Sequence, residues 1–243
     1  MTYGVGLLLR DGMVLLSDTR TNAGIDHISS YRKMFHFAVA GERVISILTA
    51  GSLSVSQATI ARLQEAIEDP DATPETSILL APSMLKVAEI VGATLWSVRE
   101  AMDRRLHSNG SFGQASMIVA GQRLGGVMRM FLVYPEGNFI EATEDTPFIQ
   151  IGEHKYGKPI LDRIVRPETS LSDGQKAVLL SMDSTLRSNL SVGMPLDLAI
   201  IERDACRVTH ERRIEAGDDD FRAMSEAWSS VLRDGFKKIT LLS

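Results

Sequence analysis

The chain has 243 residues, of which 44% are hydrophobic and 23% charged, and its formal net charge at pH 7 is -5. This length and apolar content are typical of a globular protein with one large domain or two small ones, and the acidic balance argues against a nucleic-acid surface. Cys206 is the only cysteine, which excludes an intrachain disulfide and a thiolate metal cluster.

The N-terminal part of the chain has the pattern of two β-hairpins. Residues 3–10 and 13–18 are apolar runs joined by Asp11-Gly12, and Asp-Gly between such runs is a strong hairpin signal. Residues 34–40 and 44–51 form a second pair of this kind. The first run is short and has no basic segment before it, so it does not resemble a secretory signal. We therefore expect a cytoplasmic protein.

The middle of the chain changes from strand to helical periodicity and back. Apolar residues recur every three or four positions over 54–68 and over 83–107, which predicts two amphipathic helices. Asp69-Pro70-Asp71 ends the first of them. Neither helix contains an apolar run of ~18 residues, so we expect no contact with a membrane interior. Short strands are predicted after the second helix, at 116–122, 127–134, 139–143 and 148–152.

The C-terminal part alternates again between helices and strands. Helices are predicted at 156–165 and 172–188, and Ser172 with Gln175 has the pattern of a capping box for the second. Strands follow at 196–203 and 206–211. A last helix over 221–234 is preceded by three aspartates, where the helix dipole favours negative charge.

Long blocks of strands with segregated helix pairs predict an α+β fold. Two antiparallel sheets packed face to face and covered by helices on both outer faces fit this order. The expected architecture is a four-layer αββα sandwich. We expect residues 1–243 to form a single domain, since no repeat, low-complexity segment or linker interrupts the chain.

Thr2 directly precedes the first strand, and this position suggests an N-terminal nucleophile. An N-terminal threonine can attack through its hydroxyl while its own α-amine takes the proton. The α-amine has an ordinary pKa of ~7.7–8, close to working pH. The mechanism requires removal of Met1, which a small second residue permits. If Met1 is retained, Thr2 is an ordinary strand residue.

Asp18 follows the second strand and Lys33 precedes the third, which brings two opposite charges toward the same end of the sheet. A cation beside the Thr2 hydroxyl favours its deprotonation, and an aspartate would hold that cation in place. The alternative is a structural salt bridge. The histidines show no metal-ligand spacing and no phosphate-binding loop is present, so we expect no metal ion and no cofactor.

Four segments carry a resemblance to a known family: residues 2–6, 17–24, 32–35 and 48–51. They resemble the proteasome β-type subunits of the N-terminal nucleophile hydrolases, and in particular their bacterial proteasome-related branch. The resemblance implies the αββα sandwich, threonine peptidase chemistry, and self-association into a large ring-like or helical homo-oligomer. It implies a peptide or unfolded protein as substrate, and any ATP-dependent partner would be a separate protein.

The resemblance also implies further site residues. Gly51 would supply a backbone N–H to the oxyanion, and a glycine lets the substrate carbonyl approach the main chain closely. Asn22 stands where proteasomes have a small hydroxyl residue that bonds the substrate main chain, and its backbone would pair with an extended peptide. Thr49 and Leu53 would flank a medium-sized, uncharged pocket for the residue before the cleaved bond.

The chain departs from the family pattern after the fourth main helix. Ser191 matches the family serine in this region, whereas Ser188 stands in place of the family aspartate. Asp183 lies one helical turn earlier and would substitute only with a different backbone path. A second family serine, after a glycine near the nucleophile, is replaced by Glu153-His154, and either residue would have to compensate.

Three functions are consistent with these residues. The first is a threonine peptidase that cleaves unfolded or short peptides inside an oligomer. The second is an amidase that uses the same residues on a non-peptide amide, and pocket geometry separates the two. The third is a non-catalytic scaffold subunit, which retention of Met1 would favour.

Overall fold

A computed structural model of the chain describes residues 2–22, 28–106 and 113–240. Their element order is strands, two helices, strands, two helices, strands and a terminal helix, as predicted. The twelve strands described are β1 (Tyr3–Leu9), β2 (Gly12–Asp18), β3 (Arg20–Asn22), β4 (Ile28–Ser30), β5 (Met34–Val39), β6 (Arg43–Gly51), β7 (Ala115–Arg123), β8 (Arg129–Val133), β9 (Phe139–Glu141), β10 (Phe148–Gly152), β11 (Leu196–Glu202) and β12 (His210–Ile214). The helices are α1 (Leu53–Glu68), α2 (Met84–Leu106), α3 (Lys158–Ile164), α4 (Leu171–Ser188) and α5 (Asp219–Lys238).

The strands form two five-stranded antiparallel sheets and a short two-stranded ribbon. The first sheet has the order β10-β1-β2-β11-β12, so the N-terminal strand is held between two neighbours. Tyr3 pairs with Gly152 on one side, while Gly4 pairs with Ser17 on the other. The second sheet has the order β5-β6-β7-β8-β9. Both predicted hairpins are present, and the β3–β4 ribbon between them is an element that the sequence pattern did not predict.

The two sheets pack face to face, with helices on both outer faces. One apolar cluster fills the space between the sheets and includes Leu15, Leu48 and Met130. A second lies between the second sheet and the α1–α2 pair, and a third between the first sheet and the α3–α4 pair. The predicted four-layer αββα sandwich is therefore confirmed. No helix within the described residues is long and apolar enough to cross a membrane.

Two predicted element boundaries are wrong for local reasons. The cap of α4 is Ser170, whose Oγ accepts from Asp173 N at 3.1 Å, so the cap lies two residues before the predicted Ser172 and the helix begins at Leu171. The last strand was expected at 206–211 but is His210–Ile214. Asp204 and Cys206 adopt φ of 65° and 49°, and this left-handed turn delays the return to strand pairing.

Candidate active site

Asp18 is the centre of a buried polar cluster at the N-terminal end of β1. It is fully buried as the last residue of β2, and its carboxylate accepts three hydrogen bonds. Oδ1 accepts from Tyr3 N at 3.1 Å and from Lys33 Nζ at 2.8 Å, and Oδ2 accepts from Gly193 N at 3.2 Å. Burial raises the pKa of the Asp18 carboxyl, and the Lys33 charge with the N–H donors opposes that rise.

Lys33 is 4% exposed and is bound to two acceptors. Its ammonium donates to Asp18 and, at 2.6 Å, to the Arg20 carbonyl oxygen. An ammonium has three N–H donors, and these two bonds account for two of them. Burial lowers the pKa of the Lys33 ammonium, against the opposing charge of Asp18. Lys33 therefore releases a proton more readily than a solvated lysine.

The Thr2–Tyr3 peptide lies directly against this ion pair. Tyr3 N and Lys33 Nζ share one oxygen of Asp18, so the two nitrogens lie no more than 5.9 Å apart, the sum of their distances to that oxygen. On the other side of the peptide, the Thr2 carbonyl oxygen accepts from Glu153 N at 2.7 Å. Gly152 makes this contact possible, because its φ is +76° and an added Cβ would collide with the Thr2 carbonyl.

The Tyr3 side chain anchors the same strand to α4. Its hydroxyl lies 2.5 Å from Ser181 Oγ and accepts from Gln150 Nε2 at 2.7 Å. Burial raises the pKa of Tyr3 to about 12, so the phenol stays neutral at working pH. The residue that follows the candidate nucleophile is therefore held rigidly.

Gly51 ends β6 and is exposed at the same end of the sandwich. Thr49 N, two residues earlier, donates to the Lys33 carbonyl at 2.8 Å. Because N–H groups of alternate strand residues point the same way, Gly51 N–H faces the same side, beyond the paired part of β5. Its φ is +100°, and an added Cβ would collide with the Gln114 carbonyl. Gly51 thus presents a backbone donor past Lys33.

The loop after α4 closes the cluster. Gly193, whose N–H donates to Asp18, belongs to this loop. Ser191 lies two residues before Gly193, and Ser191 N donates to Asn189 Oδ1 at 2.9 Å. Arg20 donates from Nη1 to the Leu190 carbonyl at 3.1 Å and packs directly on Gly193. Arg20 therefore braces this loop. The backbone of Asn22 ends β3, whereas its side chain lies outside the described residues, as does Met1.

The two residues considered at the family aspartate position, Ser188 and Asp183, lie in different surroundings. Ser188 is exposed at the end of α4, and the next residue, Asn189, is the one buried in the site. The Asp183 carboxylate lies at the contact between α4 and α5, where it accepts from Ser225 Oγ at 2.7 Å and from Arg187 Nε at 3.1 Å.

Asn189 and Glu153 form a contact that the sequence pattern did not single out as a pair. Asn189 Nδ2 donates to Glu153 Oε2 at 3.1 Å, across 36 residues of chain. His154, the other residue considered at this position, is exposed. The polarity of each residue was visible in the sequence, but their contact depends on α4 packing across β1, the neighbour of β10 in the sheet.

A groove of about 540 Å³ lies between the edge strand β5 and helix α1. Tyr31 and Phe35 line it from the strand side, and Gln57 and Ile60 from the helix. Leu53 begins α1 one turn before Gln57 and is half-buried. Thr49 is buried where its backbone meets Lys33. Arg32 and His36 also line the groove, whereas Thr49 and Leu53 do not.

A larger cleft of about 590 Å³ lies at the opposite end of β1. Two of its arginines form ion pairs, Arg10 with Glu168 and Arg129 with Glu141, and the third, Arg203, donates to the Leu9 and Arg10 carbonyl oxygens. This cleft is remote from Thr2, because its lining begins at Leu8, at the far end of β1. Across the described ranges, no group of three or more His, Cys, Asp and Glu side chains could hold a metal ion.

Comparison with solved structures gives close relatives over the whole chain. The Gly-1 mutant of Anbu from Hyphomicrobium sp. strain MC1 is 46% identical with a TM-score of 0.93, covering 100% of both chains. Anbu from Pseudomonas aeruginosa, solved as a helical assembly, is 43% identical with a TM-score of 0.90, covering 99% of this chain and 98% of that one.

Anbu from Yersinia bercovieri, described as an ancestral β-subunit, is 40% identical with a TM-score of 0.91, covering 99% of this chain and 98% of that one. No protein-family model and no curated protein matches the chain. Identities of 40% to 46% over nearly the full length of both partners, on one shared fold, show that the chain belongs to the Anbu family of proteasome-related subunits.

Proposed function

We propose that this protein is an N-terminal threonine peptidase that hydrolyses peptide bonds through Thr2 after removal of Met1. One observation carries the proposal: a single oxygen of the buried Asp18 carboxylate accepts both from the peptide N–H that follows Thr2 and from the Lys33 ammonium. A fully buried lysine–aspartate pair is costly to desolvate, so it is weak evidence for a stabilising role alone. Beside an N-terminal threonine, it supplies the positive field that a hydroxyl nucleophile needs.

In the proposed reaction, Thr2 Oγ bonds to the scissile carbonyl carbon and its proton passes to the Thr2 α-amine. The negative charge that develops on the carbonyl oxygen is bound by Gly51 N–H. The C–N bond then breaks, the proton passes to the leaving amine, and an acyl-enzyme remains. Water, deprotonated by the same α-amine, releases the acyl group and regenerates the hydroxyl.

The proposed mechanism requires a neutral α-amine, which gives the reaction a pH dependence. With an ordinary α-amine pKa of ~7.7–8, activity rises as the pH increases through this range. The charge of the Lys33 ammonium shifts this range to lower pH, because one buried cation disfavours a second positive charge on a nearby amine.

The substrate is proposed to be an extended peptide or an unfolded protein segment. The exposed end of β6 at Gly51 and the short β3–β4 ribbon offer main-chain groups for strand addition. The groove lined by Tyr31, Phe35 and Ile60 offers apolar surface for a substrate side chain, with Arg32 also in its lining. We further propose that the chain self-associates, as the helical assembly of the Pseudomonas aeruginosa relative does.

Intact-mass analysis before and after treatment with a peptide epoxyketone tests the proposal, because this reagent needs both a threonine Oγ and a free α-amine. The expected result is loss of Met1 and one adduct per chain, with release of product from a fluorogenic peptide. Thr2→Ala should form no adduct, whereas Thr143→Ala, at an exposed threonine near the opposite end of β1, should react like the parent. Retained Met1 with no adduct and no turnover would refute the peptidase and favour a scaffold subunit.

A further inference from the structure

The turn after β10 is in direct contact with the candidate nucleophile. Glu153 N donates to the Thr2 carbonyl at 2.7 Å, and Gly152 leaves room for that bond. Any movement of this turn therefore moves Thr2. The contacts that hold this turn in place therefore also help to position Thr2.

The Glu153 side chain ties that turn to the loop after α4. Its Oε1 accepts from Lys155 N at 3.1 Å, within the turn, and its Oε2 accepts from Asn189 Nδ2 at 3.1 Å. Asn189 is 8% exposed, and its other side-chain atom, Oδ1, accepts from Ser191 N at 2.9 Å. The amide of Asn189 is thus oriented by both bonds, with its NH₂ toward the carboxylate.

These contacts close a ring around Thr2. From Asn189 the chain runs four residues to Gly193, whose N–H donates to Asp18 Oδ2 at 3.2 Å. Asp18 in turn binds Tyr3 N and Lys33. The Thr2–Tyr3 peptide is therefore held at its carbonyl by the Glu153 turn and at its N–H by Asp18. Asn189 connects these two groups, because it binds Glu153 and lies in the loop that reaches Asp18 through Gly193.

We infer that Glu153 and Asn189 are positioning residues, whose amide-to-carboxylate bond sets the place of Thr2 relative to Asp18 and Lys33. This inference rests on the proposed function. A misplacement of about 1 Å in a reacting group costs on the order of 10²-fold in rate. The bond has a defined polarity, since Asn189 Oδ1 is occupied by Ser191 and only its NH₂ faces Glu153.

The polarity provides the test. Asn189→Asp keeps an acceptor for Ser191 N but places a second carboxylate against Glu153, which repels it. We expect the rate of epoxyketone addition and kcat for a fluorogenic peptide to fall on the order of 10²-fold, with KM changing less. Combining Asn189→Asp with Glu153→Gln restores an amide-to-carboxylate bond in the reverse direction. The double variant should recover to within about tenfold of the parent, because interacting sites are not additive.

Two further variants keep the test decisive. Glu153→Ala removes the half-buried acceptor while leaving the backbone bond to Thr2, and it should slow epoxyketone addition at least about tenfold. This variant tests the same contact if Asn189→Asp does not fold. Asn138→Asp makes the same change at an exposed turn and should leave both rates unchanged.

The outcomes separate this inference from the function on which it rests. A parent protein that neither labels nor turns over would overturn the proposed function before any variant is needed. A reactive parent with an equally reactive Asn189→Asp, or a double variant no faster than Asn189→Asp, would overturn the positioning role of the pair alone.

Discussion

The buried Asp18–Lys33 pair should be strongly coupled in stability as well as in activity. The Asp18 side chain is 0% exposed and the Lys33 side chain 5%, with the charged atoms 2.8 Å apart. Asp18→Asn leaves a buried ammonium without its counter-charge, and Lys33→Met leaves a buried carboxylate with two peptide N–H donors. Removing one partner of such a pair costs about 3–5 kcal/mol. For a chain of this size, this corresponds to a fall in Tm of roughly 6–20 °C.

The double variant Asp18→Asn/Lys33→Met should lose less stability than the sum of the single variants. Each single change leaves one buried charge without its partner, whereas the double change leaves neither charge. Coupling energies between contacting residues reach about 0.5–3 kcal/mol. Urea or thermal unfolding of the four proteins completes the cycle. Protomer concentration must be equal throughout, because self-association raises apparent stability.

An exposed ion pair on α3 serves as the matched control. Lys158 and Asp162 are 2.6 Å apart, but both side chains are 48% exposed, so solvent screens the interaction. The corresponding cycle with Lys158→Met and Asp162→Asn should show a coupling of about 0–1 kcal/mol. The reasoning fails if the Asp18 and Lys33 variants lose no more than this control pair, or if their effects add within about 0.5 kcal/mol.

Three other outcomes are expected. Thr2→Ala should abolish peptide turnover without a change in the circular-dichroism spectrum, and full residual turnover would exclude Thr2 as the nucleophile. Gly51→Ala should lower kcat by about 10²-fold or more, because the added Cβ meets the Gln114 carbonyl and displaces an oxyanion donor. Gly41→Ala is its control, since Gly41 also has a positive φ but open space around it, and equal rates for both would contradict the role of Gly51. Burial lowers the pKa of His36, so below pH ~6.5 the unfolded chain binds more protons than the folded one and stability falls as the pH decreases. His36→Asn should flatten the slope of Tm against pH between pH 7.5 and 5.5, and an unchanged slope would assign it to other groups.

Local sequence patterns predict most of the architecture of this protein. The Asp11-Gly12 turn, the alternation in the strands and the helical spacing over 83–107 each act over a few residues, and each appears in the structure as an element of the predicted type. Their order predicts two sheets and two helix pairs. Burial of one face per element then leaves few arrangements other than a layered sandwich.

Boundaries and short elements were less predictable because they depend on competing local signals. Ser170 and Ser172 both have the chemistry of a helix cap, and only the backbone path shows that Ser170 binds the first turn. The three-residue strands β3 and β4 are too short for a periodic pattern. Their pairing follows from the position of the flanking sheets.

The candidate site likewise contains residues whose proximity local patterns predict and a contact that only tertiary packing determines. Thr2, Asp18, Lys33 and Gly51 lie at strand ends, and the hairpin order already brings strand ends together, so their proximity could be inferred; their catalytic roles remain predictions. The contact between Glu153 and Asn189 joins segments 36 residues apart, and no local pattern encodes it.

Interactions within a few residues are enough to set the strand and helix periodicity, the α+β class and the placement of chemically suitable residues at one end of a sheet, so local patterns predict all three. Tertiary structure alone decided which buried polar groups meet. Asp18 binds Tyr3, Lys33 and Gly193 because three separate segments converge on one carboxylate. A buried polar group must find partners wherever packing supplies them, and that packing is a property of the whole chain.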